Sequence, residues 1–335
     1  MRRILFPLIP VYRLIIWLRN YLYDKGWLKI YRPDVPVVSI GNISTGGTGK
    51  TPLAEYMIDF YLKEANIKKL AYLSRGYGRK TKGFFKVDPG KGTAKDFGDE
   101  ALQVAGKFPE ISVAVCEDRK TGIRRLIDEY HADFIILDDA FQHRKVDRDK
   151  DIVVIDATRM PDRDLVLPAG NLREPISGLK RADYLVVNKV EEEAQIPGLR
   201  KRLERWHKPV IFCRPVLNKI VFPVNSDLPE IRPGMKVMLF SGIGNAGSFQ
   251  QTIRDAGYEI VVNKEFRDHY FYRERDIRML IDIFGTSQAD CMLTTEKDYW
   301  RLRGSSGYQR LEPHSFGYVR MKLEWIEDVF LPPAC

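Results

Sequence analysis

A chain of 335 residues leaves room for two packed domains of about 150 residues each. Its 44% apolar and 30% charged residues are the balance of a folded globular protein, which excludes a largely disordered chain, and four scattered cysteines (Cys116, Cys213, Cys291, Cys335) exclude a disulfide scaffold or a zinc site and fit a reducing compartment. The 54 basic against 45 acidic residues leave a net charge of +9, and residues 1–32 alone hold seven basic side chains against the single acid Asp24, so the basicity belongs to one end.

That end is apolar as well. Residues 4–18 read ILFPLIPVYRLIIWL, interrupted by Pro7, Pro10 and Arg13. The run falls short of the ~20 apolar residues a spanning helix needs, and no small-residue cleavage site follows to make it a signal peptide. From Val11 onward, Val11, Leu14, Ile15, Leu18 and Leu22 fall on one helical stripe, with Arg13 and Asn20 opposite. A basic amphipathic helix with Trp and Tyr at its borders predicts an interfacial membrane anchor. The alternative is a helix packed on the protein's own core.

Next, Val35–Ile40 reads as a short β-branched strand running into GNISTGGTGKT (41–51) and then an apolar-periodic helix, PLAEYMIDFYL. Strand, glycine-rich loop, Lys-Thr and helix is the setting of a phosphate-binding loop. Ser44, Thr45, Gly46, Gly47, Thr48 and Gly49 would turn backbone N–H groups toward phosphate oxygens at a helix N-terminus. Lys50 would reach the β- and γ-phosphates and the Thr51 hydroxyl would ligate Mg²⁺. Ser44 stands where G-x-x-x-x-G-K-[ST] has its first glycine, and it is expected to take that backbone shape with some strain.

A nucleoside triphosphate site also needs an acid at a strand end. Phe134–Leu137 followed by Asp138-Asp139 puts a carboxylate at the carboxyl edge of a parallel sheet. The two cannot face the same way, so one serves the metal and the other something nearby. Further strands are expected at Leu70–Leu73, Ile111–Val115, Ile152–Ile155 and Tyr184–Val187, with helices after Asp99 and across Arg119–Tyr130. Beyond about Pro209 the density of proline and short β-branched runs rises. A second α/β pattern then follows: Val237–Phe240, a glycine-rich turn at Gly242–Gly247, a helix, Ile260–Val262 and Cys291–Thr294. The expected fold is α/β: a P-loop parallel sheet flanked by helices, plus a smaller α/β domain and the N-terminal helix. The expected divisions are 1–32, 33–212 and 213–335, the last closing over the active site.

Several clusters could handle the acceptor of the phosphate. Arg75, Arg79 and Lys80 follow a strand and suit an anionic substrate, or form a solvated basic turn. Asp99 opens a helix and is either its N-cap or a general base. In Asn171-Leu-Arg-Glu174, Arg173 offers charge for phosphate and Glu174 an oxygen for metal or hydroxyl, or the two form a surface salt bridge. His143 and His269 are isolated and read locally as ordinary histidines.

Taken in order, GNISTGGTGKT, LSRGYGRK, GDEA, EDR, ILDDAFQHR, LPAGNLREP, FRDHY and LTTEKD resemble the tetraacyldisaccharide 4′-kinase family, from the N-terminal helix to about residue 300. The resemblance implies an ATP-dependent kinase acting on the 4′-hydroxyl of a tetraacyldisaccharide 1-phosphate to give lipid IVA, at the cytoplasmic face of a bacterial inner membrane. It implies Asp99 as the base and His269 as its partner. Lys50, Thr51, Asp138, Asp139, Gln142, His143 and Glu174 would serve nucleotide and Mg²⁺, with Thr51, Asp138, Asp139 and Glu174 as candidate metal ligands. Tyr77, Arg119, Asn171 and Arg173 would face the disaccharide headgroup. The implied partners are the glycolipid and a membrane surface, without nucleic acid, for a monomer. Two rivals remain. A P-loop regulatory switch draws on Asn188-Lys189-Val190-Glu191, near the Asn-Lys-x-Asp pattern that reads guanine. A nucleic-acid-dependent ATPase draws on the basic charge, although most of that charge sits on the apolar N-terminal helix.

Overall fold

The computed structural model describes residues 2–63, 67–223 and 232–327. Cys335 and the side chains of Arg2 and Arg3 lie outside the described residues. After a 3₁₀ turn over Arg2–Leu8, helix α1 (Ile9–Asp24) starts with Pro10 in its first turn, where the missing N–H costs nothing. The phosphate-loop strand β1 (Val37–Gly41) leads into α2 (Lys50–Lys63). Then come β2 (Leu70–Ser74), the two-residue β3 (Phe85–Lys86), the short α3 (Ala94–Phe97) and α4 (Asp99–Lys107). Three further strands, β4 (Ser112–Val115), β5 (Phe134–Asp138) and β6 (Lys150–Asp156), are fully or nearly buried, and α5 (Arg119–Tyr130) separates the first two. β7 (Tyr184–Asn188) and α6 (Ile196–Leu203) complete this part of the chain.

The 12-residue strand β8 (Val210–Val221) comes next. Beyond it lie β9 (Lys236–Ser241), α7 (Ala246–Asp255), β10 (Glu259–Glu265) and α8 (Glu274–Thr286). The described chain closes with β11 (Cys291–Thr295), α9 (Glu296–Arg303) and β12 (Phe316–Trp325).

The strands form one sheet in the order β10-β9-β11-β12-β8-β7-β6-β1-β5-β2-β4-β3. All pairs are parallel except β8–β12 and the β3–β4 edge. The long β8 carries the sheet across: Val210–Phe212 pair with β7, and Cys213–Val221 with β12. The division expected at 212/213 thus falls inside a single strand. β1 lies between β5 and β6, with Ile40 opposite Asp138, so the loop after β1 and the acids after β5 emerge side by side. Helix α2 covers one sheet face with Leu53, Met57, Ile58 and Tyr61 against Val38, Ile40, Phe134 and Ile136, and the same apolar cluster runs on into Phe240, Ile277 and Trp300. Helix α5 seals the other face through Ile123 and Leu126 on Leu73, Ile135 and Leu137.

Helix α1 turns most of its apolar surface outward. Only Ile9, Ile16 and Tyr23 are buried, whereas Leu14 and Ile15 are 60% and 59% exposed, and Val11, Trp17 and Leu18 are exposed with them. Of the expected stripe, Leu22 alone is half-buried. The helix is held by polar links: the Tyr12 hydroxyl donates to the Arg173 carbonyl at 2.7 Å, and Arg144 donates to the Asn20 carbonyl and to Asp24.

Candidate active site

Gly46 (φ +101°) and Gly49 (φ +92°) give the loop after β1 its shape, a backbone region other residues rarely enter. At Gly49 a Cβ would stand 1.9 Å from Asn188 Nδ2, so glycine is required on steric grounds too. Ser44 keeps an ordinary negative φ, and the strain expected there is absent. Instead, Ser44 bridges to Leu172; the Thr45 N–H donates to the Asn171 carbonyl at 2.8 Å and the Arg173 N–H to the Ile43 carbonyl at 2.7 Å. The segment 171–173 therefore braces the loop as a short extra strand. Asn42 Nδ2 donates to the Thr48 hydroxyl at 3.0 Å from within. From behind, Asn188 Nδ2 donates to the Thr48 carbonyl at 3.0 Å, and Lys189 Nζ to the Gly47 carbonyl at 2.6 Å and to Asp156. These contacts hold the Gly47 and Thr48 carbonyls on the protein side; the Thr45 and Thr48 N–H groups are taken by the Asn171 and Gly46 carbonyls, which leaves the glycine N–H groups and the α2 N-terminus for an anion.

The two acids at the end of β5 diverge as expected. Asp139 takes a left-handed φ of +49°, which swings its carboxylate to Lys50 (3.4 Å) and to Arg173 Nη1 (2.8 Å to each oxygen). Burial would raise this carboxyl, but Lys50 and then Arg173 hold it below its ordinary value. Asp138 stays buried; its Oδ2 accepts from the Ser74 hydroxyl at 3.2 Å while Oδ1 has no hydrogen-bond partner among the described residues. Burial, with the Asp139 charge second, pushes its carboxyl up. Thr51, also buried, opens the first turn of α2. A buried carboxylate oxygen left without such a partner, at the strand end next to the strand that leads into the loop and α2, is a donor that suits a hard divalent cation.

Two residues expected to face ligand are engaged with protein groups instead. Glu174 is 0% exposed; Oε1 accepts from Gln142 Nε2 at 2.9 Å and Oε2 from Arg181 Nη2 at 2.7 Å. Gln142 Nε2 also donates to the Asn42 carbonyl at 2.7 Å, so this pair tethers the loop from below. Arg119, expected on the substrate side, is buried under the sheet edge and donates to the carbonyls of Cys116 and Asp138 at 2.5 and 2.9 Å. It holds the backbone at Asp138. His143 is half-buried, and burial first, then Arg119, lowers its imidazole to about 4, so it is neutral at pH 7. Its N–H donates to the Ala140 carbonyl at 2.7 Å and its carbonyl accepts from Arg148 at 3.0 Å. Asn171 is anchored to Asp164 through its N–H and its Nδ2.

Tyr77 and Asp99, expected on the acceptor side, lie along the same sheet edge. The Ser74 hydroxyl on Asp138 also accepts from the Gly76 N–H at 3.3 Å, and Gly76 packs so closely on Gly98 that a Cβ there would lie 3.1 Å away. Asp99 follows. It is the first residue of α4, one position past the Gly98 N-cap. Asp99 Oδ2 lies 3.4 Å from Nδ1 of His269, 170 positions further along the chain. His269 itself has φ +56°, and its ring lies 5.1 Å from that of Tyr77, which is 65% exposed.

Reasoning from the residues missed Arg301 and Lys297, which approach Asp99 and Glu100 from α9. The signal was there: two cations at i and i+4 on a helix opening with Glu296-Lys-Asp, matching the adjacent acids of Gly-Asp-Glu. The Asn188-Lys189 support of the loop was also missed in that role.

A glycine-shaped phosphate cradle on the central strand of a parallel sheet, a lysine and paired acids at its mouth, and a second polar cluster beside it define a P-loop phosphotransferase. Residues 1–331 match the family model described as tetraacyldisaccharide-1-P 4′-kinase, and the chain belongs to that family. Among its relatives, the tetraacyldisaccharide 4′-kinase of Chlorobaculum parvum is 42% identical over 306 residues, covering 89% of this chain and 84% of the relative. That of Cytophaga hutchinsonii is 37% identical over 301 residues, covering 89% and 85%. The crystal structure of LpxK from Aquifex aeolicus in complex with ATP shares 32% identity, with a TM-score of 0.72 over 97% of this chain and 95% of that one.

Proposed function

We propose that this chain transfers the γ-phosphoryl group of ATP to the 4′-hydroxyl of a tetraacyldisaccharide 1-phosphate. The observation that carries the reading is the meeting of a complete phosphate loop with the Asp99–His269 pair on one sheet edge, within a member of this kinase family. Loop N–H groups and the α2 N-terminus hold the β/γ-phosphates, with Lys50 over them. Asp139 and Arg173 keep Lys50 and the guanidinium at the loop mouth, where charge develops on the transferring oxygens. Asp99, paired with His269, takes the proton of the attacking hydroxyl, and Tyr77 lines the acceptor's approach. The Thr51 hydroxyl and Asp138 would hold Mg²⁺, which when bound neutralises phosphate charge; Glu174 and Arg119 position the loop and Asp138 rather than touch metal or sugar.

The exposed apolar face of α1 supports a peripheral position on an anionic bilayer, at the cytoplasmic side where ATP is available. Arg144 neutralises Asp24, the one acid of residues 1–32, so the segment meets the headgroups with cations only. No described helix is long and apolar enough to cross a membrane. The enzyme acts as a monomer of two lobes joined through β8. The switch reading loses its footing, because Asn188 and Lys189 are engaged with the carbonyls of the loop.

Radiolabelled phosphate transfer from ATP to tetraacyldisaccharide 1-phosphate in detergent micelles tests the reading. Labelled lipid with wild type and none with Lys50→Ala is the expected result; nucleotide hydrolysis without any lipid product overturns it.

A further inference from the structure

Asp99 does not stand alone with His269. Its Oδ2 accepts from Arg301 Nε at 2.7 Å and, more closely still, from Arg301 Nη2, while its Oδ1 accepts from the Glu100 N–H at 3.0 Å. Arg301 Nη2 also lies 3.2 Å from His269 Nδ1, so one guanidinium nitrogen touches both members of the pair. The other end of the guanidinium is fixed. Nη1 donates to the Gly242 carbonyl at 2.6 Å and to Asp298 Oδ1 at 2.9 Å, an oxygen that also accepts from the Tyr272 hydroxyl. The same Gly242 carbonyl accepts the His269 N–H at 3.0 Å. A single carbonyl at the end of β9 therefore sets both the arginine and the histidine loop. The arginine and Asp99 are 2% and 3% exposed, so their interaction is little screened, whereas the His269 side chain is 33% exposed.

We propose that Arg301 is a positioning residue of the phosphoryl transfer, clamping Asp99 against His269 and setting the pH at which the pair accepts a proton; this rests on the reading of Asp99 and His269 as the proton-accepting pair. The direction of its effect is the same for both members. Its positive charge disfavours a proton on Asp99 and a proton on His269 alike. Burial alone would raise Asp99, yet Arg301 holds it well below the usual carboxylate range; the Asp99 contact raises His269, and Arg301 opposes that rise. The remaining charged neighbours are Glu100 on α4, Lys297 and Asp298 on α9, and Asp268 on the histidine's own loop, 3.9 Å from Nε2, with the Tyr77 ring on the open side. Glu100 acts on both members through its charge, but among the described residues none of these neighbours touches both. Arg301 does, and it does so from a buried site.

The test compares wild type with Arg301→Gln and Arg301→Lys, using NMR titration of the His269 ring (assigned by its loss in His269→Gln) beside the pH profile of lipid phosphorylation. In Arg301→Gln the His269 titration moves up by about one unit. The acidic limb of kcat/KM moves up with it, kcat falls on the order of tenfold, and KM for ATP stays unchanged. Arg301→Lys keeps the charge and returns the titration toward wild type. A fall in kcat with titration and limb unmoved overturns the proposal in favour of a purely structural arginine. Should Arg301→Gln fail to fold with Asp99 unpaired, Asp99→Asn/Arg301→Gln leaves no such charge: His269 then titrates above its value in Asp99→Asn alone, and equal values overturn the proposal. Because the titration needs no turnover, it reads out even if wild type phosphorylates no lipid, which would sink the kinase reading by itself.

Discussion

The phosphate loop and the acceptor side share a sheet edge but are put together differently. Gly46, Gly49, Lys50 and Thr51 sit within six consecutive residues, and their geometry follows from one strand–loop–helix unit. Asp99 and Arg301 are separated by 202 positions and meet only because α4 and α9 pack together across β8–β12. The first arrangement takes its shape from local backbone geometry and is braced from outside by residues 171–173, Gln142, Asn188 and Lys189. The second is held by a few buried charges and depends on the whole sheet being in register. Rigidity on the nucleotide side and charge-coupling on the acceptor side suit the proposed tasks: one receives the same phosphates each time, the other exchanges a proton.

Breaking the loop should have the largest effect. Lys50→Ala is expected to lower kcat/KM on the order of 10²–10³-fold, the loss typical of removing a preorganised charge-stabilising donor. The His269 titration should stay in place, and a shift there would undo the separation of the two regions. Gly49→Ala comes next. It pushes an ordinary residue into φ +92° and its Cβ against Asn188, which must release the Thr48 carbonyl. A cost of roughly 1–3 kcal/mol should appear as a 10- to 100-fold rise in KM for ATP in steady-state assays.

The junction between the regions offers a pH test. Glu296 is raised to about 7, by burial first and then by the neighbouring Glu55, even though Arg320 donates to it at 2.9 Å. A carboxyl raised on folding keeps its proton in the native state while the unfolded chain releases it near its ordinary 4.5. Stability from this group therefore falls as pH climbs from about 4.5 to about 7 and is level above. Thermal melts of Glu296→Gln should gain on wild type from pH 5 to pH 8; a constant difference would count against the raised carboxyl. The smallest effect is expected from Tyr12→Phe, about 1 kcal/mol of stability from one lost hydrogen bond, measured by urea titration.

What could be read from residues alone follows the same divide. Short buried strands such as Phe134–Leu137 and Ile152–Ile155 announce themselves by apolar runs ending in polar residues, and the structure extends them to Phe134–Asp138 and Lys150–Asp156. The phosphate loop was legible because its chemistry is compressed into one stretch. β8 was not, since Pro215 interrupts a run that nevertheless pairs antiparallel with Leu323 on β12. Arg119 and Glu174 were placed on the ligand because a charged side chain in a motif says nothing of its direction. Both turn inward, to carbonyls and to Gln142 and Arg181, and support the site from behind. Arg301 escaped notice because its partner lies in another part of the chain.

The hydrogen bond from Tyr12 to the Arg173 carbonyl ties the outward-facing helix to the residue that grips Asp139. With α1 lying on a bilayer, as proposed, that tie makes the helix a depth gauge: the transfer centre rides at a constant altitude above the lipid. An acceptor whose acyl chains stay in the leaflet presents its sugar at one level only, so the enzyme would choose among hydroxyls by height before it chose by shape.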